Sequence, residues 1–224
     1  MHLLAHRGCT WQHPENTLAA FASALALGFT GIETDVRWSL DGEAILYHDR
    51  LSPHGQAVAA LTRKELSHQA GFIVPSLSEA LDAFPDAFWN IELKTPAGLP
   101  SILSTLNKVQ DKTPILVSSF YHPLIQEAAN TLNTYLGLLF ASRPLSLNTL
   151  LEISNASPKI KTLIWDFEIL DPSFIDEARR LGFAHFVYGA ANEIEHEWCR
   201  KLAIEGIITD YPEWVGLGSR PCWQ

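Results

Sequence analysis

Residues 3–37 read LLAHRGCTWQHPENTLAAFASALALGFTGIETDVR, and this stretch decides the fold. A short apolar run, 3–6, ends in a histidine and an arginine. The segment 15–27 follows, with Leu18, Phe21, Ala22 and Leu25 at helical spacing, and it stops at Gly28, a residue suited to a helix C-cap. A second apolar run, 31–37, comes next. This is a strand–helix–strand unit, and the rest of the chain repeats it. Further strands are expected at 44–48, 89–94, 115–120, 135–140, 162–166, 186–188 and 206–209. Further helices are expected at 78–84, 102–109, 123–132, 146–153, 172–181 and 194–204. Pro123 and Pro172 each follow a polar residue, His122 and Asp171, in a capping position.

About eight such repeats without a linker or charge block suit one α/β domain over residues 1–224, a (β/α)8 TIM barrel. An open doubly wound sheet is the alternative, and the missing G-x-G-x-x-G turn weakens it. An insertion over about residues 38–75 breaks the rhythm: an extra strand entered through Asp41-Gly42, then a loop with a little helix over 49–74. The tail, 213–224, is too short for a closing helix.

Composition narrows the function classes. With 47% apolar and 18% charged residues the chain can bury a sizeable core. A net charge of −9 without a basic cluster argues against nucleic acid or an anionic membrane as partner. Cys9, Cys199 and Cys222 form no C-x-x-C pair and no disulfide framework, which suits a reducing compartment. Neither a signal peptide nor a membrane span is evident, so a cytoplasmic location without stable membrane association is expected. No pattern indicates an oligomeric state.

Charged residues gather where the expected strands end: His6 and Arg7 on the first, Glu33, Asp35 and Arg37 on the second, His48 and Asp49 on the inserted strand, Glu92 and Lys94 on the next. In a barrel this end carries the active site. Period-two spacing puts Glu33 and Asp35 on one face, and Glu92 and Lys94 on one face of theirs. Taken singly, these residues read as solvated strand ends, a surface ion pair and a rim pair. Three carboxylates in one mouth repel unless a cation neutralises them, and oxygen ligands suit a hard ion, Mg2+ or Ca2+, with Mn2+ also admissible. Two histidines, three carboxylates, an arginine and a lysine together form a kit for metal-assisted attack at phosphorus.

The motifs that carry these residues resemble a known family. His6-Arg7-Gly8, Pro14-Glu15-Asn16-Thr17 with Ala20-Phe21, Glu33-x-Asp35-Val36, Asp41-Gly42 and His48-Asp49 are similar to the glycerophosphodiester phosphodiesterase signature. The likeness continues, in order, through Pro75-Ser76-Leu77-x-Glu79-Ala80-Leu81, Asn90-Ile91-Glu92-Leu93-Lys94, Ser118-Ser119-Phe120 and Gly206-Ile207-Ile208-Thr209-Asp210-Tyr211-Pro212. The resemblance implies a barrel and a divalent metal on Glu33, Asp35 and Glu92. It also implies His6 and His48 as an acid–base pair, and Arg7 and Lys94 on the phosphate of a small glycerophosphodiester. Phe120 and Tyr188 are expected beside the substrate. Which histidine is acid and which base stays open, as does direct water attack against a cyclic phosphate intermediate. Pro14-Glu15-Asn16-Thr17 reads as architecture: Asn16 or Glu15 fixing the loop after the first strand, with Glu15 at a helix start.

The sequence departs from the family pattern twice. After His48-Asp49 it runs Arg50-Leu51-Ser52-Pro53-His54-Gly55, shorter than usual. The seventh barrel strand ends in Tyr188-Gly189-Ala190-Ala191-Asn192 in place of Trp-Thr-Val-Asn. Both departures point to altered alcohol specificity. Two alternatives share this site: a lysophospholipase D-like diesterase, which needs an apolar groove at the mouth, and a non-catalytic phosphate-ester-binding barrel. A metal-dependent amidohydrolase is weaker, because no His-x-His ends the first strand. Trp11, Trp38, Trp89 and Trp165 read as packing, Cys9 as unreactive, and His13, His54 and His122 as bystanders.

Overall fold

The computed structural model describes every residue except 145, 147 and 218–224. Its strands are His2–His6 (β1), Gly31–Trp38 (β2), Ala44–Leu46 (β3), Phe88–Leu93 (β4), Ile115–Ser119 (β5), Tyr135–Phe140 (β6), Ile160–Asp166 (β7), Ala184–Tyr188 (β8) and Gly206–Thr209 (β9). All but β3 are parallel neighbours, and β1 closes the ring: Leu4 lies opposite Gly31 of β2 on one side and Ile208 of β9 on the other. The sheet is a closed eight-stranded parallel barrel with helices outside it, the (β/α)8 fold expected. β3 pairs antiparallel with the end of β2, Val36 opposite Leu46.

The helices are Leu18–Leu27 (α1), Arg63–Ala70 (α2), Leu77–Ala83 (α3), Leu99–Val109 (α4), His122–Thr131 (α5), Asn148–Ala156 (α6), Pro172–Arg180 (α7) and Glu193–Lys201 (α8). Alternate strand residues separate two apolar layers. Inside the barrel Leu4, Phe88, Leu116, Leu139, Ile164, Phe186 and Ile208 pack together. Outside, strand residues such as Ile32, Trp89, Ile91 and Val117 pack with Phe21, Leu77, Ile102 and Ile125 of the helices. The insertion has its own small core of Ile45, Val58, Leu61, Leu66 and Val74. Trp89 and Trp165 are buried packing residues, as read.

Several boundaries differ from the sequence reading, for local reasons. The first helix begins at Leu18 and not at residue 15, because Asn16 is left-handed (φ 57°) and Thr17 caps the helix by accepting from the Ala20 amide. Glu15 therefore lies outside the helix and pairs with Arg7. The strand expected over 44–48 stops at Leu46; Tyr47 donates its amide to the Asp35 carbonyl and His48 lies beyond. In the insertion, α2 is fixed by a capping box between Thr62 and Glu65, and α3 by one between Ser76 and Glu79. Asp171 caps α7, accepting from the Ser173 and Phe174 amides, whereas His122 is the first residue of α5 and caps nothing. The last helix ends at Lys201, before left-handed Ala203 (φ 53°). Cys9 and Cys199 are buried free thiols; Cys222 lies outside the described residues. Among the described residues no helix is long and apolar enough to cross a membrane.

Candidate active site

The C-terminal ends of the strands open on a cavity of about 270 Å3. Register brings the charged side chains to it: His6 stands opposite Glu33, Glu33 opposite Asn90, and Asp35 opposite Glu92. Each points inward because it follows, at period two, a residue of the inner core: Leu4 precedes His6, and Phe88 precedes Asn90, Glu92 and Lys94.

Glu33, Asp35 and Glu92 are all buried and offer carboxylate oxygens within 4.8 Å of one another. Lys94 Nζ lies 3.0 Å from Asp35 Oδ1 and 2.6 Å from Glu92 Oε1. Arg7 Nε approaches Asp35 Oδ2 at 3.2 Å, while its Nη1 donates to Glu15 at 2.9 Å. Arg7 is itself left-handed (φ 57°) and is followed by Gly8 (φ 86°), where a Cβ would come within 2.7 Å of the Ala20 backbone. This strained turn swings the guanidinium back over the barrel mouth.

The electrostatics separate the carboxylates. Burial raises the pKa of Glu33, and repulsion from Asp35 raises it further. Asp35 is equally buried, yet Lys94, Arg7 and a hydrogen bond from Asn16 hold it below its ordinary value. Burial also lifts Glu92, against the pull of Lys94. Burial opposes charge on His6 and Lys94, but their carboxylate partners outweigh it and both are raised. Glu33 Oε2 is buried with no hydrogen-bond partner. An all-oxygen cluster with an orphaned carboxylate oxygen fits a hard divalent cation.

The two histidines face the same cavity, His6 from the end of β1 and His48 from the segment that follows β3. His6 Nδ1 donates to Asp210 at 3.0 Å, leaving Nε2 4.0 Å from Glu33. His48 Nδ1 pairs with Asp49 at 2.8 Å, and the His48 carbonyl accepts from Arg37 Nε at 2.8 Å. Opposite the charged wall stand Phe120 and Tyr188, edge to face with centroids 5.9 Å apart, together with Leu139 and Ile208. The Tyr188 hydroxyl donates to the Phe140 carbonyl at 3.2 Å. Of the nine residues given roles at the site, His6, Arg7, Glu33, His48, Glu92, Lys94, Phe120 and Tyr188 line this cavity, and Asp35 joins them through Arg7 and Lys94. Asn192 does not: it is the N-cap of α8, accepting from the Glu195 amide. His13 and His122 are engaged elsewhere, with Ser23 and the Leu139 carbonyl.

Three contributors were not assigned in the sequence reading. Asp210 sits on the inward period of β9 after Gly206 and Ile208, a signal that was available. Asn90 lines the cavity; its Oδ1 accepts from Ser118 Oγ at 2.7 Å and its Nδ2 is buried without a partner. Arg37 fixes the His48 backbone. A larger groove, about 990 Å3, lies outside the barrel between α8 and the turn after β7, but no histidine lines it.

The family model described as the glycerophosphoryl diester phosphodiesterase family matches residues 6–214. The chain belongs to this family. A glycerophosphodiester phosphodiesterase of Caldanaerobacter subterraneus is 26% identical over 94% of both chains. The crystal structure of a glycerophosphodiester phosphodiesterase from Thermotoga maritima superposes with a TM-score of 0.82, at 26% identity and 93% coverage of each chain. An Oleispira antarctica phosphodiesterase, solved with the product sn-glycerol-3-phosphate, superposes with a TM-score of 0.81 at 23% identity, covering 95% of this chain and 94% of its own.

Proposed function

We propose that this family member hydrolyses glycerophosphodiesters to glycerol 3-phosphate and an alcohol, with a divalent cation held by Glu33, Asp35 and Glu92. The observation that carries this reading is the convergence of His6 and His48 on one cavity walled by three carboxylates, Arg7 and Lys94. The sn-glycerol-3-phosphate bound to the Oleispira protein supports the same product here.

Glu33, Asp35 and Glu92 would hold the divalent cation, Mg2+, Ca2+ or Mn2+, and when bound it would supply positive charge beside the phosphate. Arg7 and Lys94 add to that charge and orient the phosphate, stabilising the pentacoordinate transition state. One histidine takes the proton from the attacking oxygen. The other protonates the departing alkoxide, which is too basic to leave unaided. Asn16 holds Asp35 in place by donating Nδ2 to Oδ2 at 2.9 Å while its Oδ1 accepts from Thr34 at 2.7 Å. The cavity of about 270 Å3 suits a polar head more than an acyl chain, which favours glycerophosphodiesters over the lysophospholipase D-like alternative.

The test is release of glycerol 3-phosphate from glycerophosphocholine before and after exhaustive chelation. Activity should vanish and return with Mg2+, Ca2+ or Mn2+. Full turnover in the chelated protein refutes the cation's role.

A further inference from the structure

The turn that follows β9 is anchored more firmly than its position at the barrel mouth requires. His196 of α8 is fully buried and donates Nδ1 to the Asn192 carbonyl at 2.8 Å. Its Nε2 is then an acceptor, met by Thr209 Oγ1 at 2.8 Å. The Tyr211 amide donates to the same Thr209 oxygen at 3.0 Å. Both neighbours of Asp210 are thereby held. Asp210 turns inward, with its two oxygens 3.0 and 3.3 Å from His6 Nδ1. It stands apart from the buried cluster formed by Glu33, Asp35 and Glu92.

An ionised carboxylate only accepts, so this contact places a proton on Nδ1 of His6. The nitrogen left to face the cavity and Glu33 is Nε2. A free imidazole rotates and shares its proton between its two nitrogens, whereas this ring is fixed in angle and in tautomer. We propose that Asp210 is a positioning residue for His6: it holds Nδ1–H and commits Nε2 to proton exchange with the substrate. This rests on the acid–base role proposed for His6. Asp210 touches neither the cation cluster nor the phosphate-facing side chains, so its removal should spare binding and slow the chemical step.

The experiment compares Asp210→Ala, Asp210→Asn, His6→Ala and the double variant Asp210→Ala/His6→Ala, on glycerophosphocholine at saturating cation. Asp210→Ala should lower kcat about 10- to 100-fold with KM changed less than about 3-fold, the scale of impaired acid–base catalysis. Asp210→Asn, whose Oδ1 still accepts from Nδ1, should retain more activity. In the His6→Ala background, loss of Asp210 should cost less than about twofold, because the two act as a unit. Nitrogen NMR of 15N-histidine-labelled wild-type protein should show His6 protonated on Nδ1, and Asp210→Ala should lose that preference. A crippled His6→Ala beside an unimpaired Asp210→Ala overturns this inference alone, as does full additivity or an unprotonated Nδ1. Wild-type turnover by His6→Ala removes the acid–base reading and this inference with it.

Discussion

Glu33 and Asp35 stand two residues apart on one face of β2, yet their environments drive their carboxyls in opposite directions. Asp35 has Lys94, Arg7 and Asn16 around it, whereas Glu33 Oε2 has no hydrogen-bond partner. Glu33 is thus the carboxyl whose ionisation its surroundings compensate least. Glu33→Gln should match or exceed the wild-type melting temperature in chelator, because it replaces a carboxyl whose ionisation burial and Asp35 already oppose by a neutral side chain of the same shape. Added Mg2+ or Ca2+ should stabilise the wild type, by about 2.7 kcal/mol at a hundredfold excess over Kd, and the variant far less. Thermal melts with and without cation check this. An equal cation-induced shift in both proteins refutes it.

Asn16 connects the left-handed turn to Asp35 and Thr34 through three contacts, including the 3.4 Å approach of the Asp35 amide. Asn16→Ala leaves buried polar groups unpaired and puts a less tolerant residue at φ 57°. Urea unfolding should show a loss of about 1–3 kcal/mol. Cation affinity should fall as well, since Asp35 loses a fixed donor. Unchanged stability and affinity contradict this account of the loop.

Trp165 donates to His185 Nδ1 at 3.0 Å, so the buried ring carries its proton on Nε2, which has no partner. Burial pulls the His185 pKa down from 6.5 to about 4. The folded protein thus binds this proton less readily than the unfolded chain. The associated stability is complete above about pH 6.5 and declines as pH falls toward 4, by about 1.4 kcal/mol per unit within that window. His185→Gln keeps an acceptor for Trp165 and does not titrate. The stability difference between wild type and variant should therefore shift against the wild type over pH 6.5–4; a pH-independent difference contradicts the assignment.

Selectivity follows from the wall opposite the charges. Tyr188 offers an aromatic edge and face, but its hydroxyl is tied to the barrel, and Phe120 is already approached by Lys94 at 5.9 Å. One cation–π contact of about 0.5–2 kcal/mol gives at most roughly a 30-fold preference for a quaternary ammonium. Values of kcat/KM for glycerophosphocholine, glycerophosphoethanolamine and glycerophosphoglycerol should fall within that span. A thousandfold preference would require a head-group pocket absent from this cavity.

The legible part of the site was the part fixed by strand period. Glu33, Asp35, Glu92 and Lys94 were readable because alternation alone assigns their face, and His6 because it closes an apolar run. The first helix ends at Leu27 with Gly28 as its cap, as expected, and only its start lies three residues later, because Asn16 adopts a left-handed conformation that local propensity for Asn permits but does not demand. His48 lies one residue past the last in-register bond of its strand, Tyr47 amide to Asp35 carbonyl, and Arg37 holds its carbonyl there, a contact between residues well apart in sequence. The Asp210–His6 pair joins the last strand to the first and exists only once the barrel closes. The orphaned Nε2 of His185 likewise depends on which helices cover β8.

In the proposed mechanism two histidines move the protons at this mouth. This role is tested most directly by kcat for His6→Ala and His48→Ala on glycerophosphocholine at saturating cation. Each should fall by roughly 10²-fold or more, the scale of a lost general acid or base, with substrate binding weakened far less. Near-normal kcat in either variant would contradict the account, because that histidine would then not belong to the acid–base pair.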